Sequence, residues 1–142
     1  YILVALQVID FSIPATQVLI LTPTIELSYQ VHEKLLVIGK HLKNLRVDLA
    51  VKQSESKYRG KSQIIVGCIG TVLRWIQNIR SIHFDACRFI LMDEADAIIL
   101  QSGQLNQFQE IKKIIGNPCL HLFCSATFED KAFNIAKRMM YD

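Results

Sequence analysis

The chain has 142 residues, the length of one domain, and can bury a core without disulfides or bound metal. Its 51% hydrophobic and 20% charged residues exclude a disordered chain and are typical of a sheet covered by helices on both faces. The net charge of +3 permits a nucleic-acid partner without establishing one, although the basic residues cluster in the first half.

Short β-rich apolar runs alternate with longer stretches of helical period, which predicts βαβ units in a parallel sheet. Residues 2–8 have the pattern of a helix end, and they are too few for a signal peptide or a membrane span, so no membrane insertion is predicted. We then predict strands over 17–22, 46–51, 63–66, 88–92 and 120–124, and helices over 26–41, 71–78, 105–115 and 129–140. Thr71 is a candidate N-cap, and Gly116-Asn117-Pro118 is a helix stop signal.

Cysteine and histidine spacing offers no metal site. The four cysteines form no C-x-x-C pair, and no histidine stands at zinc-finger spacing, so free thiols in a reducing compartment are predicted. Trp75 shares an apolar helical face with Val72 and Ile76, which favours a place in the core over a base-stacking role.

Acidic residues directly follow the fourth predicted strand. In open parallel sheets, ligands gather at the carboxyl ends of the strands, and this strand ends in Asp93-Glu94-Ala95-Asp96. Asp93 can hold Mg²⁺ through water beside a polyphosphate, and Glu94 can orient or deprotonate an attacking water. An acidic helix N-terminus explains the same run equally well. The fifth strand leads into Ser125-Ala126-Thr127, whose two hydroxyls are spaced to bond an acidic cluster on a neighbouring strand.

Four motifs in order resemble the first RecA-like domain of DEAD-box RNA helicases. They are P-T-x-E-L at 23–27, G-T at 70–71, D-E-A-D at 93–96 and S-A-T at 125–127, each after a predicted strand. The segments around G-T and S-A-T are similar to the subfamily that acts in mRNA export at the nuclear pore. The resemblance covers nearly the whole chain and implies a RecA-like (P-loop NTPase-type) α/β fold with ATP and Mg²⁺ as cofactors.

The resemblance also implies a role for each motif residue. Asp93 would bind Mg²⁺ through water, and Glu94 would be the general base for ATP hydrolysis. Asp96, Ser125 and Thr127 would link the nucleotide site to RNA binding. Pro23, Thr24, Gly70 and Thr71 would face the RNA phosphate backbone without reading bases. For Thr24 and Thr71, a simple helix cap is the alternative.

Three departures from the family pattern concern RNA binding. Ile25 stands where P-T-R-E-L has arginine, Cys68-Ile69-Gly70 replaces T-P-G, and Lys52-Gln53 replaces a glycine pair. Losing a guanidinium that can contact phosphate bidentately predicts weaker RNA binding.

The sequence contains no G-x-x-x-x-G-K-[ST] segment. Gly60-Lys61-Ser62 is the nearest match, but Glu55 occupies the first glycine position, which predicts an ordinary loop before the third strand. Residues 1–142 are therefore interpreted as a partial RecA-like domain 1, incomplete because the phosphate-loop strand is missing, with the second RecA-like domain also absent. Such a chain is expected to be inactive in ATP hydrolysis alone.

In the family, the phosphate-loop strand would pair with strand 120–124, so its absence predicts an exposed outer strand and a poorly stable or aggregating isolated chain. Monomeric, cooperative unfolding of the 142-residue chain would contradict that prediction.

Three functions remain in competition. The first is part of an ATP-dependent RNA helicase that remodels RNA or RNA–protein complexes. The resemblance implies a role in mRNA export, with a location in the cytoplasm and nucleus and at the nuclear pore, where export factors would be partners. The second is a nucleotide-independent RNA-binding or regulatory remnant, which the missing phosphate loop favours and the intact D-E-A-D and S-A-T oppose. The third is a different P-loop ATPase, which would leave P-T-x-E-L and G-T without a task.

Overall fold

The computed structural model describes residues 1–55, 58–101, 103–116 and 118–141. Its five strands form one parallel sheet in the order β2-β3-β1-β4-β5. The strands are β1 (Val18–Thr22), β2 (Val47–Ala50), β3 (Ile64–Cys68), β4 (Phe89–Met92) and β5 (Leu120–Phe123). The helices are α1 (Ile2–Gln7), α2 (Ile25–Ile38), α3 (Ile69–Asn78), α4 (Ala95–Leu100), α5 (Gln104–Ile115) and α6 (Asp130–Tyr141). The predicted βαβ alternation is confirmed.

Helices cover both faces of the sheet because the strand side chains alternate between them. On one face, Val18 and Ile20 of β1 pack in a cluster with buried residues of α1 and α2. On the other, Leu19 and Leu21 pack with residues of α3, α4, α5 and α6. β1 and β4 are fully buried, which explains their continuous apolar runs. No helix in the described ranges is long and apolar enough to cross a bilayer.

The first part of α3 differs from the prediction. β3 continues through Gly67 to Cys68, and α3 begins at Ile69 with Cys68 as its N-cap. A Cβ at residue 67 would lie 2.7 Å from the Ala50 Cβ, so Gly67 is required for close packing inside the sheet and does not end the strand. Thr71 therefore lies in the first turn of α3 and is not its N-cap. Its hydroxyl lies 3.2 Å from the Cys68 sulfur.

Several smaller predictions are confirmed. Trp75 is 1% exposed and packs at 5.5 Å between ring centroids against Tyr58. Gly116 ends α5 in the left-handed conformation, at φ 66°. Asn117, the middle of the predicted stop signal, lies outside the described residues. The segment from Gly60 to Ser62 is a loop that leads into β3, and the Ser62 hydroxyl bonds the carboxylate of Asp48.

Candidate nucleotide and RNA site

All of the predicted site residues follow the carboxyl ends of neighbouring strands. The register pairs Thr22 with Cys68 and Leu21 with Met92, so β3, β1 and β4 end at the same level. Pro23 and Thr24 follow β1, Gly70 and Thr71 follow β3, Asp93 and Glu94 follow β4, and Ser125 and Thr127 follow β5. The structure therefore brings the four motifs to one end of the sheet.

The acidic run is tied to both neighbouring strands. The Asp93 amide donates to the Leu21 carbonyl at 2.9 Å, which extends the β1–β4 ladder past the end of β4. The Ala95 amide donates to the Cys124 carbonyl, also at 2.9 Å, and so joins the start of α4 to the end of β5. These backbone bonds fix the separation between the carboxylates and the Ser125–Thr127 turn.

Glu94 has an unusual backbone conformation. It is left-handed, with φ 48° and ψ 51°, and it is the N-cap of α4. A side-chain-bearing residue in this region costs of the order of 1–3 kcal/mol, and such strain is concentrated at functional sites. The Glu94 side chain is exposed, and among the described residues its carboxylate accepts no hydrogen bond. It is free to accept one from water.

The third carboxylate of the run has hydroxyl partners. The Ser125 Oγ donates to Asp96 Oδ1 at 2.5 Å, and the Thr127 Oγ1 lies 3.4 Å from Asp96 Oδ2. The Thr127 amide in turn donates to the Ser125 Oγ at 3.3 Å. The two motifs therefore form one bonded unit. Asp96 also lies in the first turn of α4, so the acidic helix start weighed from the sequence is present alongside this contact.

The hydrogen bond between Ser125 and Asp96 affects the ionisation of the Asp96 carboxyl. The hydrogen bond from Ser125 is the main cause that lowers the pKa of Asp96, and Thr127 contributes less. Because the folded pKa is depressed, the stability from this bond is present above the ordinary pKa of about 3.9 and is lost as the pH falls through the folded pKa. We expect Ser125→Ala to raise the pKa of Asp96 more than Thr127→Val does. Carboxyl-carbon NMR titration measures both shifts, and a larger shift in Thr127→Val would contradict the assignment.

Tyr1 is a site residue that the sequence did not reveal. Its hydroxyl donates to Asp93 Oδ2 at 2.6 Å, across 92 residues of sequence. Burial, followed by this bond to Asp93, raises the pKa of the Tyr1 phenol well above its usual range, so it stays a donor. α1 runs back towards the start of β1, which places its first residue near the carboxyl end of the sheet. No motif marks Tyr1, because α1 is only six residues long and its partner is remote.

Asp93 is a single carboxylate that could hold Mg²⁺ together with water and substrate phosphates. Asp93 is half-buried, and it also accepts from the Glu94 amide at 3.1 Å. The described residues contain no group of three metal-ligating side chains. Mg²⁺ is commonly held by one or two carboxylates together with water and substrate phosphates, not by an all-protein cage. A single carboxylate at an open strand end suits that arrangement.

The RNA-facing candidates lie at two helix starts. The Thr24 Oγ1 accepts from the Leu27 amide at 3.3 Å and so caps α2, as the alternative interpretation predicted. The same hydroxyl can still donate to a phosphate. Gly70 is exposed in the first turn of α3, and Ile25, where the family has arginine, is 46% exposed. Burial raises the pKa of the Cys124 thiol, which lies beside the site.

A parallel sheet with helices on both faces, and with carboxylates and hydroxyls at the carboxyl ends of its strands, is typical of nucleotide-binding α/β domains and agrees with the RecA-like fold expected from the sequence. A family model described as DEAD/DEAH box helicase matches residues 1–135. The chain belongs to this family.

Individual relatives agree with the family match. Human ATP-dependent RNA helicase DDX19A is 31% identical over 100% of this chain and 30% of its own length. The structure of S. cerevisiae Dbp5 bound to RNA and ADP BeF3 superimposes with a TM-score of 0.90 at 27% identity, over 98% of this chain and 35% of that chain. A Dbp5 variant bound to Nup159, Gle1, IP6 and ADP gives a TM-score of 0.85 at 26% identity, over 98% and 37%. This chain spans about a third of the length of these relatives.

Proposed function

We propose that residues 1–142 are part of the first RecA-like domain of an ATP-dependent RNA helicase that remodels RNA or RNA–protein complexes. The observation that carries this proposal is the bonded unit of Asp96, Ser125 and Thr127, which lies beside the acidic end of β4 and at the same end of the sheet as the starts of α2 and α3. A purely structural scaffold has no need for that combination. A phosphate-binding loop and a second RecA-like domain complete the working enzyme.

In this proposal, each side chain has one task. Asp93, oriented by the Tyr1 hydroxyl and the Glu94 amide, holds Mg²⁺ through water. The bound ion would neutralise charge on the β- and γ-phosphates. Glu94, whose carboxylate reaches solvent, takes a proton from the attacking water.

Coupling to RNA passes through the Asp96 unit. A shift of the Ser125–Thr127 turn on nucleotide binding would lengthen or break the hydrogen bonds to Asp96, of which the one from Ser125 is 2.5 Å long. Pro23, Thr24, Gly70 and Thr71 would receive the phosphate backbone at the starts of α2 and α3, where backbone amides point outwards. These contacts carry no base information, so RNA binding is sequence-independent.

The similarity to Dbp5 and DDX19A supports a role in mRNA export. Nuclear-pore export factors are the proposed protein partners, since a Dbp5 variant was solved with Nup159 and Gle1. The proposed location follows from those partners: cytoplasm and nucleus, including the nuclear pore.

Nucleotide-dependent RNA binding tests the proposal. The natural protein that contains this chain is titrated against a fluorescent single-stranded RNA, with and without ADP–BeF3 and Mg²⁺. Coupling between two sites is typically 5–150-fold, so we expect at least about fivefold tighter binding with nucleotide. Asp96→Asn should reduce that ratio and leave nucleotide-free binding unchanged. RNA binding that is indifferent to nucleotide would instead favour a regulatory remnant.

A further inference from the structure

A charged groove lies between α3 and the segment that follows β2. Its volume is about 900 Å³, and its lining includes Lys52, Glu55, Arg74, Asn78, Arg80 and Ser81. We call this the α3 groove. None of its lining residues belongs to the four family motifs.

One wall of the α3 groove is fixed by a side-chain network. The Arg74 Nη2 lies 2.9 Å from Glu55 Oε2, and the Asn78 Nδ2 donates to Glu55 Oε1 at 3.3 Å. The only carboxylate of the lining is therefore already neutralised by its own neighbours. It does not repel an anion that enters the groove.

Two further cations of the α3 groove have no counter-charge. Lys52 and Arg80 are exposed, and within the described ranges neither has an ion-pair partner. With Arg74 they give three positive charges against one carboxylate, a net charge of +2 in the lining. Exposed cations without partners remain available to a polyanion at no cost in broken ion pairs.

The position of the groove favours RNA over an acidic peptide. Ala50 of β2 pairs with Gly67 of β3, so Lys52 lies at the same end of the sheet as Gly70 and Thr71. Arg80 lies just beyond the other end of α3, a helix of 10 residues or about 15 Å. The two cations therefore mark a path that begins at the proposed RNA-binding helix starts and continues along α3.

We propose that the α3 groove is a second phosphate-binding track, in which Lys52 and Arg80 hold the RNA backbone as it leaves the carboxyl end of the sheet. This inference rests on the proposed function. No exposed aromatic ring lines the groove, and Trp75 is buried, so the track offers no platform for base stacking. The side chain of Lys52 thereby supplies a phosphate contact where the family pattern has a glycine.

The salt dependence of RNA binding tests the track. The double variant Lys52→Gln/Arg80→Gln is made in the natural protein that contains this chain, and a fluorescent oligo(U) RNA is bound over a range of KCl concentrations. The slope of log K against log salt is negative, and each lost phosphate contact on a single strand reduces its magnitude by about 0.7, so we expect the slope to become less negative by about 1.4. The affinity should fall equally for oligo(U) and oligo(A) RNA.

The matched control is a double variant that also removes two positive charges, but outside the α3 groove. Lys34→Gln/Lys40→Gln removes two exposed cations on or just after α2, on the opposite face of the sheet. An equal slope in the two double variants would overturn the track. An unchanged RNA slope, together with loss of poly-glutamate binding in Lys52→Gln/Arg80→Gln, would also overturn it and assign the groove to an acidic protein segment. If the slope becomes less negative but ADP–BeF3 never alters RNA affinity, the track stands and the helicase proposal fails.

Discussion

Replacing Glu94 with glutamine is expected to lower RNA-stimulated ATP hydrolysis by about 10²–10⁴-fold, the usual contribution of a positioned general base. Glutamine has the same shape and can occupy the left-handed backbone at residue 94 at the same cost as glutamate. The change therefore removes the proton acceptor without disturbing the junction between β4 and α4. Steady-state hydrolysis in the natural protein that contains this chain, at saturating ATP and RNA, measures the effect.

RNA binding separates loss of chemistry from loss of structure. In Glu94→Gln, Asp93 and the Asp96–Ser125 contact are intact, so ADP–BeF3 should still tighten RNA binding. Glu33→Gln, an exposed glutamate on α2, is the matched control and should leave both properties unchanged. Hydrolysis within about twofold of the unmodified protein would remove Glu94 from the role of base.

Replacing Phe108 with alanine is expected to destabilise the β5 side of the domain by about 3–5 kcal/mol, the usual cost of deleting a buried aromatic ring. Phe108 on α5 is 0% exposed, and its ring packs edge-on at 5.9 Å against both His121 and Phe123 of β5. β5 pairs with β4 alone in the described sheet, and Leu120 is 70% exposed. The packing of β5 against Phe108 therefore contributes much of the stability of β5.

Amide hydrogen exchange measures the loss of stability at β5 in Phe108→Ala. The Leu120 and Cys124 amides donate to the Arg88 and Met92 carbonyls, and a loss of about 3–5 kcal/mol corresponds to about 10²–10⁴-fold faster exchange. Amides of β1 should respond less, because β1 is paired on both sides. Tyr29→Ala, at a residue 49% exposed, is the control and should change exchange little. Unaltered protection of 120–124 in Phe108→Ala would show that Phe108 does not support β5.

The sequence was sufficient for the strands and for the grouping of the motifs. Buried runs such as 88–92 are too apolar and too β-rich to be confused with loops, and parallel pairing brings the residues that follow them together. The Thr24 cap was also visible, because threonine before an amphipathic stretch is a local signal. The functional roles of these residues remain predictions.

Other features depend on contacts that no local pattern encodes. α4 was missed because six residues directly after a strand are too few to show a helical period. The predicted strand ended at residue 66, whereas β3 continues to Cys68; Gly67 fits inside the sheet because a Cβ there would lie 2.7 Å from the Ala50 Cβ, a contact between elements that no local pattern shows. The bond between Tyr1 and Asp93 joins residues 92 positions apart, and only the fold brings them together.

The proposed function requires Asp93 and Glu94 to lie beside a metal-bound nucleotide at the carboxyl end of the sheet. Paramagnetic Mn²⁺ in place of Mg²⁺, added with ADP–BeF3 to the natural protein that contains this chain, broadens NMR signals near the metal. We expect the amide signals of Asp93, Glu94 and Ser125 to disappear while those of Gly60 to Ser62 remain. Broadening at 60–62, with sharp signals at 93–94, would contradict it.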